Sequence, residues 1–246
     1  MIQGSLIRTL ALARKLGREE LVSDFPEIIE RLKQAGIRKW FDREKGFFVD
    51  NGQISWAAQI WAAYGEMLPP EETRQMLLRV MKDDSALRPG GPYLHNQMVI
   101  VLEKYGLHGE ARRLIRDYWG AMLDFGATTF WEDFDLTWTE NAFGIDQLPV
   151  PGKKDIHGDF GKHCYIGLRH SLCHGWAGGP TAFLSDAVLG VKILKPGYRE
   201  VSVQPDLCGL EYVRGSVPTP FGPIEVTAEK NGKTKINVPD GITLKE

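Results

Sequence analysis

Apolar residues recur every three or four positions through most of the first 190 residues. This spacing predicts helices, because it places the apolar side chains on one face of each helix. Gly or Pro residues fall near several of the expected helix ends, where they are favoured. The predicted helices cover residues 6–16, 18–40 (opened anew or kinked by Pro26), 53–67, 69–81, 93–105, 109–124 and 174–189. The first six form consecutive pairs joined by short connections, one of them a small predicted hairpin at residues 40–52.

After residue 190 the apolar residues recur at every second position. Val201 and Val203 alternate with polar neighbours, and similar alternation continues to Val238. Such alternation predicts strands, and the Asn231-Gly232 pair is a strong hairpin signal. The expected fold is therefore mainly α with a C-terminal β domain, divided into a helical domain at 1–190 and a strand domain at 191–246.

Composition excludes several classes of protein. The chain has 246 residues, 43% of them hydrophobic, which is ample for a core, and its net charge of −2 comes without a basic stripe. We therefore expect no nucleic-acid partner. No apolar run reaches the length of a membrane span, and residues 1–16 lack the apolar segment of a signal peptide, so no membrane partner is expected. Three scattered cysteines argue against a disulfide scaffold and are compatible with a reducing compartment, which favours the cytoplasm.

Residues 126–141 combine acids and aromatic rings unusually densely, in the sequence GATTFWEDFDLTWTEN. Burial suits the rings, whereas carboxylates resist burial unless they are paired. A sugar satisfies both groups, since its apolar face stacks on rings while carboxylates bind its hydroxyls and can cleave glycosidic bonds. The alternative is a surface loop with solvated acids and buried rings. The candidate residues are Trp131, Glu132, Asp133, Asp135, Trp138 and Glu140.

A second cluster collects histidines and cysteines within 18 residues, namely His157, His163, Cys164, His170, Cys173 and His174. It contains no CxxC pair, and we expect no metal there. There is no Gly-rich phosphate loop either, and we expect no cofactor. His174 opens a predicted helix rich in small residues, where it is either a packing residue or a hydrogen-bonding partner for a sugar hydroxyl.

Three stretches of the chain carry a family resemblance. They read YWGAMLDFGATTFWE at 118–132, HSLCHGWAGGPTAFLSDAVLG at 170–190, and PGYREVSVQP followed by YVRGSVPTPFGPI near the end. In this order they resemble the C-terminal half of bacterial α-L-rhamnosidases, an inverting glycoside hydrolase family, and the resemblance covers nearly the whole chain. It implies a partial (α/α)6 six-hairpin toroid followed by a small antiparallel β-sandwich.

The resemblance also implies roles for individual residues. Glu132 matches the general base that activates water, and His174 matches a histidine lining the sugar site. Trp131 and Trp138 look like sugar-contacting rings, the second by proximity alone. Asp133 and Asp135 are acidic neighbours expected in the substrate site without a fixed role.

One part of the family pattern is missing. No segment matches the upstream acidic motif that holds the general acid, and about seven helices remain of the family's twelve. Inverting hydrolysis uses two carboxyl groups about 6.5–9.5 Å apart. The sequence thus resembles a truncated rhamnosidase whose true N-terminus lies outside it. Its expected partners are a rhamnoside and either the missing N-terminal half or a self-association partner.

Two other functions remain open. One is a carbohydrate-binding or assembly module without catalysis, and the other is a different (α/α) toroid glycosidase or lyase, because a fold does not fix a function. We expect Trp131, Glu132 and His174 to converge at one open concave site.

Overall fold

The computed structural model describes residues 1–158 and 171–245. The chain divides into two compact units, Met1–Pro89 and Gly90–Glu246. The sequence pattern places the domain boundary near residue 190, which differs from this division into two units, and that boundary stays a prediction. Of the histidine and cysteine cluster, His163, Cys164 and His170 lie outside the described residues.

The first unit consists of two helix pairs and a small sheet. Helix α1 (Ile2–Leu16) packs on α2 (Phe25–Trp40), and α3 (Trp56–Tyr64) packs on α4 (Pro70–Val80). Pro26 lies in the first turn of α2, where its missing N–H costs nothing, so it opens a new helix and does not kink a longer one. The predicted hairpin between the pairs is confirmed and gains a third strand in an antiparallel sheet, formed by β1 (Phe41–Asp42), β2 (Phe47–Asp50) and β3 (Gln53–Ile54).

A buried amide ties this sheet to α3. The Gln59 side chain is fully buried, accepts a hydrogen bond from Phe48 N and donates one to Phe48 O, each at 2.8 Å. Both partners are backbone groups of β2, so the polar side chain is satisfied within the core. The α3–α4 pair and the sheet therefore share one interior, to which Ile60 and Leu77 contribute apolar side chains.

Helix α1 exposes several apolar side chains, including Leu12 and Leu16. We predict that the chain self-associates through this face, since exposed apolar clusters favour association. Sedimentation velocity at tens of micromolar should show dimers or larger species, and Leu12→Lys with Leu16→Lys should shift them toward monomer. The matched control is Leu148→Lys, at a highly exposed site elsewhere in the sequence. A monomeric wild-type chain would contradict the prediction.

The second unit begins with the helix pair α5 (Pro92–Lys104) and α6 (His108–Asp124). The helix predicted at residues 174–189 is present only in pieces, as a 3-10 turn (Gly175–Ala177), the short α7 (Gly179–Phe183) and a π turn (Leu184–Val188). Gly179 lies close to α5, because a Cβ there would lie 1.7 Å from Asn96 Oδ1. The small residues of this stretch therefore allow a close approach of α5.

The remaining strands of the described chain form two three-stranded sheets. The first has the order β4-β5-β9 and the second β6-β7-β8. Their bounds are β4 (Val191–Lys195), β5 (Glu200–Val203), β6 (Tyr212–Val217), β7 (Ile224–Glu229), β8 (Lys235–Asn237) and β9 (Thr243–Lys245). The pairs are antiparallel as predicted, except that β9 runs parallel to β5. No helix in the described ranges combines the length and apolarity needed to cross a lipid bilayer.

Candidate functional site

Two segments that are far apart in sequence run side by side at the candidate site. Glu132 N donates to Ser171 O at 2.8 Å, and His174 N donates to Phe130 O at 2.8 Å. The hydroxyl of Thr129 also donates to Leu172 O. The acid and aromatic segment and the approach to α7 are thereby joined through their backbones.

Glu132 and His174 come together at this junction. Glu132 Oε2 accepts a hydrogen bond from Ser171 N at 3.0 Å and lies 3.9 Å from His174 Nδ1. The Glu132 side chain is 16% exposed and that of His174 is 34% exposed, so both are half-buried but reachable by a ligand. The arrangement presents an oriented carboxylate beside an imidazole.

Trp176 adds an exposed ring to this pair. Its Nε1 donates to Glu132 O at 2.7 Å, and its ring centroid lies 4.6 Å from that of His174. Trp176 is 44% exposed, and the 40% exposed Tyr93 lies 5.9 Å away between ring centroids. Neither ring was singled out from the sequence. Trp176 could have been found from its place directly after His174 in SLCHGW, whereas Tyr93 carries no signal beyond its helical segment.

The ring of Trp131 turns inward. It is 1% exposed and packs edge-on against Phe134 and His157, with centroids 5.6 Å and 4.4 Å away. In this structure Trp131 is part of the core beneath the site, and its predicted contact with a sugar stays a prediction. Trp138 lies half-buried on a 3-10 turn (Leu136–Thr139), and its predicted contact likewise stays untested.

The two aspartates face a glycine pair. Asp135 accepts hydrogen bonds from Thr137 N and Thr137 Oγ1, each at 2.8 Å, and so starts the following turn. A Cβ on Gly90 would lie 2.8 Å from Asp135 Oδ2, and one on Gly91 would lie 3.0 Å from Asp133 Oδ1. Both carboxylates therefore lie against the backbone that leads into α5.

Two neighbouring aromatic residues of α6 fix the two sides of the site. The buried Tyr118 hydroxyl donates to Phe134 O in the acid segment and lies 3.1 Å from Gly90 O. Burial raises the pKa of Tyr118 above its usual range, and the charges of Asp133 and Asp135 add to this rise, so the phenol stays a neutral donor. Trp119 Nε1 donates to Ala177 O at 2.8 Å, which holds the turn that carries Trp176.

A different group of side chains has the spacing to hold a metal ion. Within the part of the chain that the structure describes, this group consists of His108, Asp206 and Cys208. It includes neither Glu132 nor His174. The arrangement around Glu132 instead suits acid–base chemistry and the binding of a polar molecule with an apolar face.

The described chain thus combines pairs of helices with C-terminal strands and places the Glu132 carboxylate beside the exposed Trp176 ring. Residues 190–245 match the family described as "Bacterial alpha-L-rhamnosidase C-terminal domain". The alpha-L-rhamnosidase of Alteromonas sp. (strain LOR) is 25% identical over 234 residues, covering 89% of this chain and 23% of that protein. The chain is therefore similar to part of these α-L-rhamnosidases.

Solved structures of rhamnosidases are similar to this chain as well. A GH78-family rhamnosidase of Bacillus sp. GL1 superimposes with a TM-score of 0.79 at 25% identity, over 98% of this chain and 25% of that one. A rhamnosidase from Klebsiella oxytoca, solved with rhamnose bound, gives a TM-score of 0.59 at 32% identity, over 74% of this chain and 32% of that one. The predicted fold class is thereby confirmed. The chain spans about a quarter of the length of most of these relatives.

Proposed function

We propose that this chain carries the general-base side of a site that hydrolyses terminal α-L-rhamnosides with inversion. The observation that supports this most directly is the half-buried Glu132 carboxylate, oriented by Ser171 N and 3.9 Å from His174 Nδ1. A general base must be held within hydrogen-bonding reach of the water it deprotonates.

His174 and Trp176 are proposed to bind the sugar beside that water. The separation of 3.9 Å between Glu132 and His174 is too long for a direct hydrogen bond, and the imidazole is proposed to bind a sugar hydroxyl. The exposed Trp176 ring supplies a flat apolar surface for the C–H face of a pyranose. Tyr93 extends this surface at a centroid distance of 5.9 Å.

The general acid is proposed to come from a partner polypeptide. Asp133 and Asp135 both accept hydrogen bonds from their own segment and lie against the Gly90–Gly91 backbone. The related enzymes are about four times longer than the matched region. An N-terminal rhamnosidase portion or a second copy of the chain would supply the missing carboxyl group.

Activated substrates test this proposal. General acid catalysis contributes about 10²–10⁴-fold and matters least when the leaving group is a stable phenolate. We expect the isolated chain to release dinitrophenol slowly from dinitrophenyl α-L-rhamnoside and to leave natural rhamnosides intact. Proton NMR of the first product should show β-rhamnose, since attack by water from the opposite face inverts the anomeric carbon.

The same assay separates the alternatives. A panel of dinitrophenyl glycosides in which another sugar is cleaved faster would favour a different toroid glycosidase. Saturation-transfer NMR that detects rhamnose binding without cleavage of any panel member would favour a carbohydrate-binding module. Formation of α-rhamnose first would contradict inversion.

A further inference from the structure

Three metal-ligating side chains meet between α6 and the loop that follows β5. His108 is the first residue of α6, and Asp206 and Cys208 lie in that loop. The His108 Nδ1, Asp206 Oδ2 and Cys208 Sγ atoms all lie within 4.8 Å of one another, and the first two are 2.7 Å apart. None of these residues belongs to the site around Glu132.

The local backbone holds the three side chains in place. Asp206 Oδ1 accepts a hydrogen bond from Cys208 N at 2.9 Å, and Asp206 N donates to Val188 O at 3.2 Å. The His108 ring packs edge-on against Phe183, with centroids 6.3 Å apart. The His108 side chain is half-buried, the Asp206 side chain is exposed and the Cys208 side chain is buried, so an ion could reach the three ligand atoms from the side of Asp206.

We propose that His108, Asp206 and Cys208 bind a zinc ion, with water as the fourth ligand. Zinc takes nitrogen, oxygen and sulfur ligands at about 2.0–2.3 Å in tetrahedral geometry, which places the ligand atoms roughly 3–4 Å from one another. The three atoms need only small adjustments to reach that spacing. The mixture of imidazole, carboxylate and thiolate excludes calcium and magnesium, which require oxygen ligands.

Charge also favours a divalent ion. A carboxylate and a thiolate together neutralise the ion, so the bound site carries no net charge. The guanidinium of Arg112 lies close by, since a Cβ on Gly209 would be 3.5 Å from Arg112 Nη2. The positive charge of Arg112 repels an unbound cation. It does not repel the complex of Zn²⁺ with the carboxylate and the thiolate, because that complex is neutral. The bound ion would connect α6 to the β domain.

Metal titration tests the proposal. The chain is stripped with a chelator and titrated with Zn²⁺ against a chromophoric competitor, and separately with Co²⁺ as a spectroscopic probe. We expect one equivalent to bind to the wild type and a cobalt adduct with thiolate-to-metal absorption. Loss of outer-shell partners typically weakens metal sites 10–100-fold, so loss of a direct ligand in Cys208→Ser or Asp206→Asn should weaken binding by at least about 100-fold.

The matched control is Cys173→Ser, which removes an exposed cysteine outside the cluster and should bind Zn²⁺ like the wild type. Zn²⁺ should also raise the melting temperature of the wild type and of this control, but not of Cys208→Ser, because only a ligand of the native state stabilises it. Absence of stoichiometric binding by the wild type overturns the proposal. Equal affinity in Cys208→Ser overturns it as well, since the ion would then lie elsewhere. Both results are independent of rhamnosidase activity.

Discussion

Glu132→Gln should abolish the slow cleavage of dinitrophenyl α-L-rhamnoside by this chain. Glutamine keeps the size of the side chain and can still accept the hydrogen bond from Ser171 N, but it cannot take a proton from water. Because general base catalysis contributes about 10²–10⁴-fold, the rate should fall by at least about 100-fold. Initial rates of dinitrophenol release, measured under saturating substrate, give the comparison.

Two further variants test whether the loss of rate is specific to the Glu132 carboxylate. Glu30→Gln, at an exposed position of α2, makes the same chemical change outside the site and should leave the rate unchanged. Trp176→Ala removes the exposed ring and should raise KM more than it lowers kcat, since stacking binds substrate and transition state alike. Equal rates for the wild type and Glu132→Gln would show that Glu132 is not the base. Efficient hydrolysis of a natural rhamnoside would show that Asp133, Asp135 or Glu140 acts as the acid.

Gly190→Ala should be among the most destabilising single substitutions in the β domain. Gly190 has φ 71, and a Cβ there would lie 2.0 Å from Gln204 O, a backbone atom that cannot rotate away. The left-handed conformation costs an L-residue about 1–2 kcal/mol and overpacking adds about 1–3 kcal/mol, so the expected loss is about 2–5 kcal/mol. Urea unfolding followed by circular dichroism measures the difference.

Gly197 offers a control for the backbone conformation alone. Its φ is 73, yet a Cβ there would meet nothing within 4 Å. Gly197→Ala should therefore cost only about 1–2 kcal/mol. If both variants lose the same stability, the close approach of Gln204 to Gly190 is not an energetic constraint.

Local patterns predicted the helices well because a helix is stabilised by neighbours in sequence. The period of three and four residues gave the extents of α5 and α6, and Pro26 opens α2 for a reason intrinsic to proline. The broken stretch after His174 could not be predicted in the same way. It contacts Asn96, which comes from a helix about 80 residues earlier, lies against Gly179 and donates to Trp176 O.

The candidate site shows the same limit. Residues 126–141 have no regular period, so the sequence could not tell which ring faces the core. Trp131 turns inward and Trp176, from a different segment, presents the exposed surface next to Glu132. The pairing of Glu132 with His174 followed from resemblance alone, because 42 residues separate them and only tertiary hydrogen bonds join their segments. Alternation of apolar and polar residues with a period of two likewise cannot predict that β9 pairs with β5 in parallel.

Tyr118 and Trp119 are consecutive residues on α6, and each holds one side of the site. The two sides consequently share a single support. Because both side chains belong to one helix, their contacts with Phe134 O and Ala177 O fix the spacing of the two segments through a single rigid element.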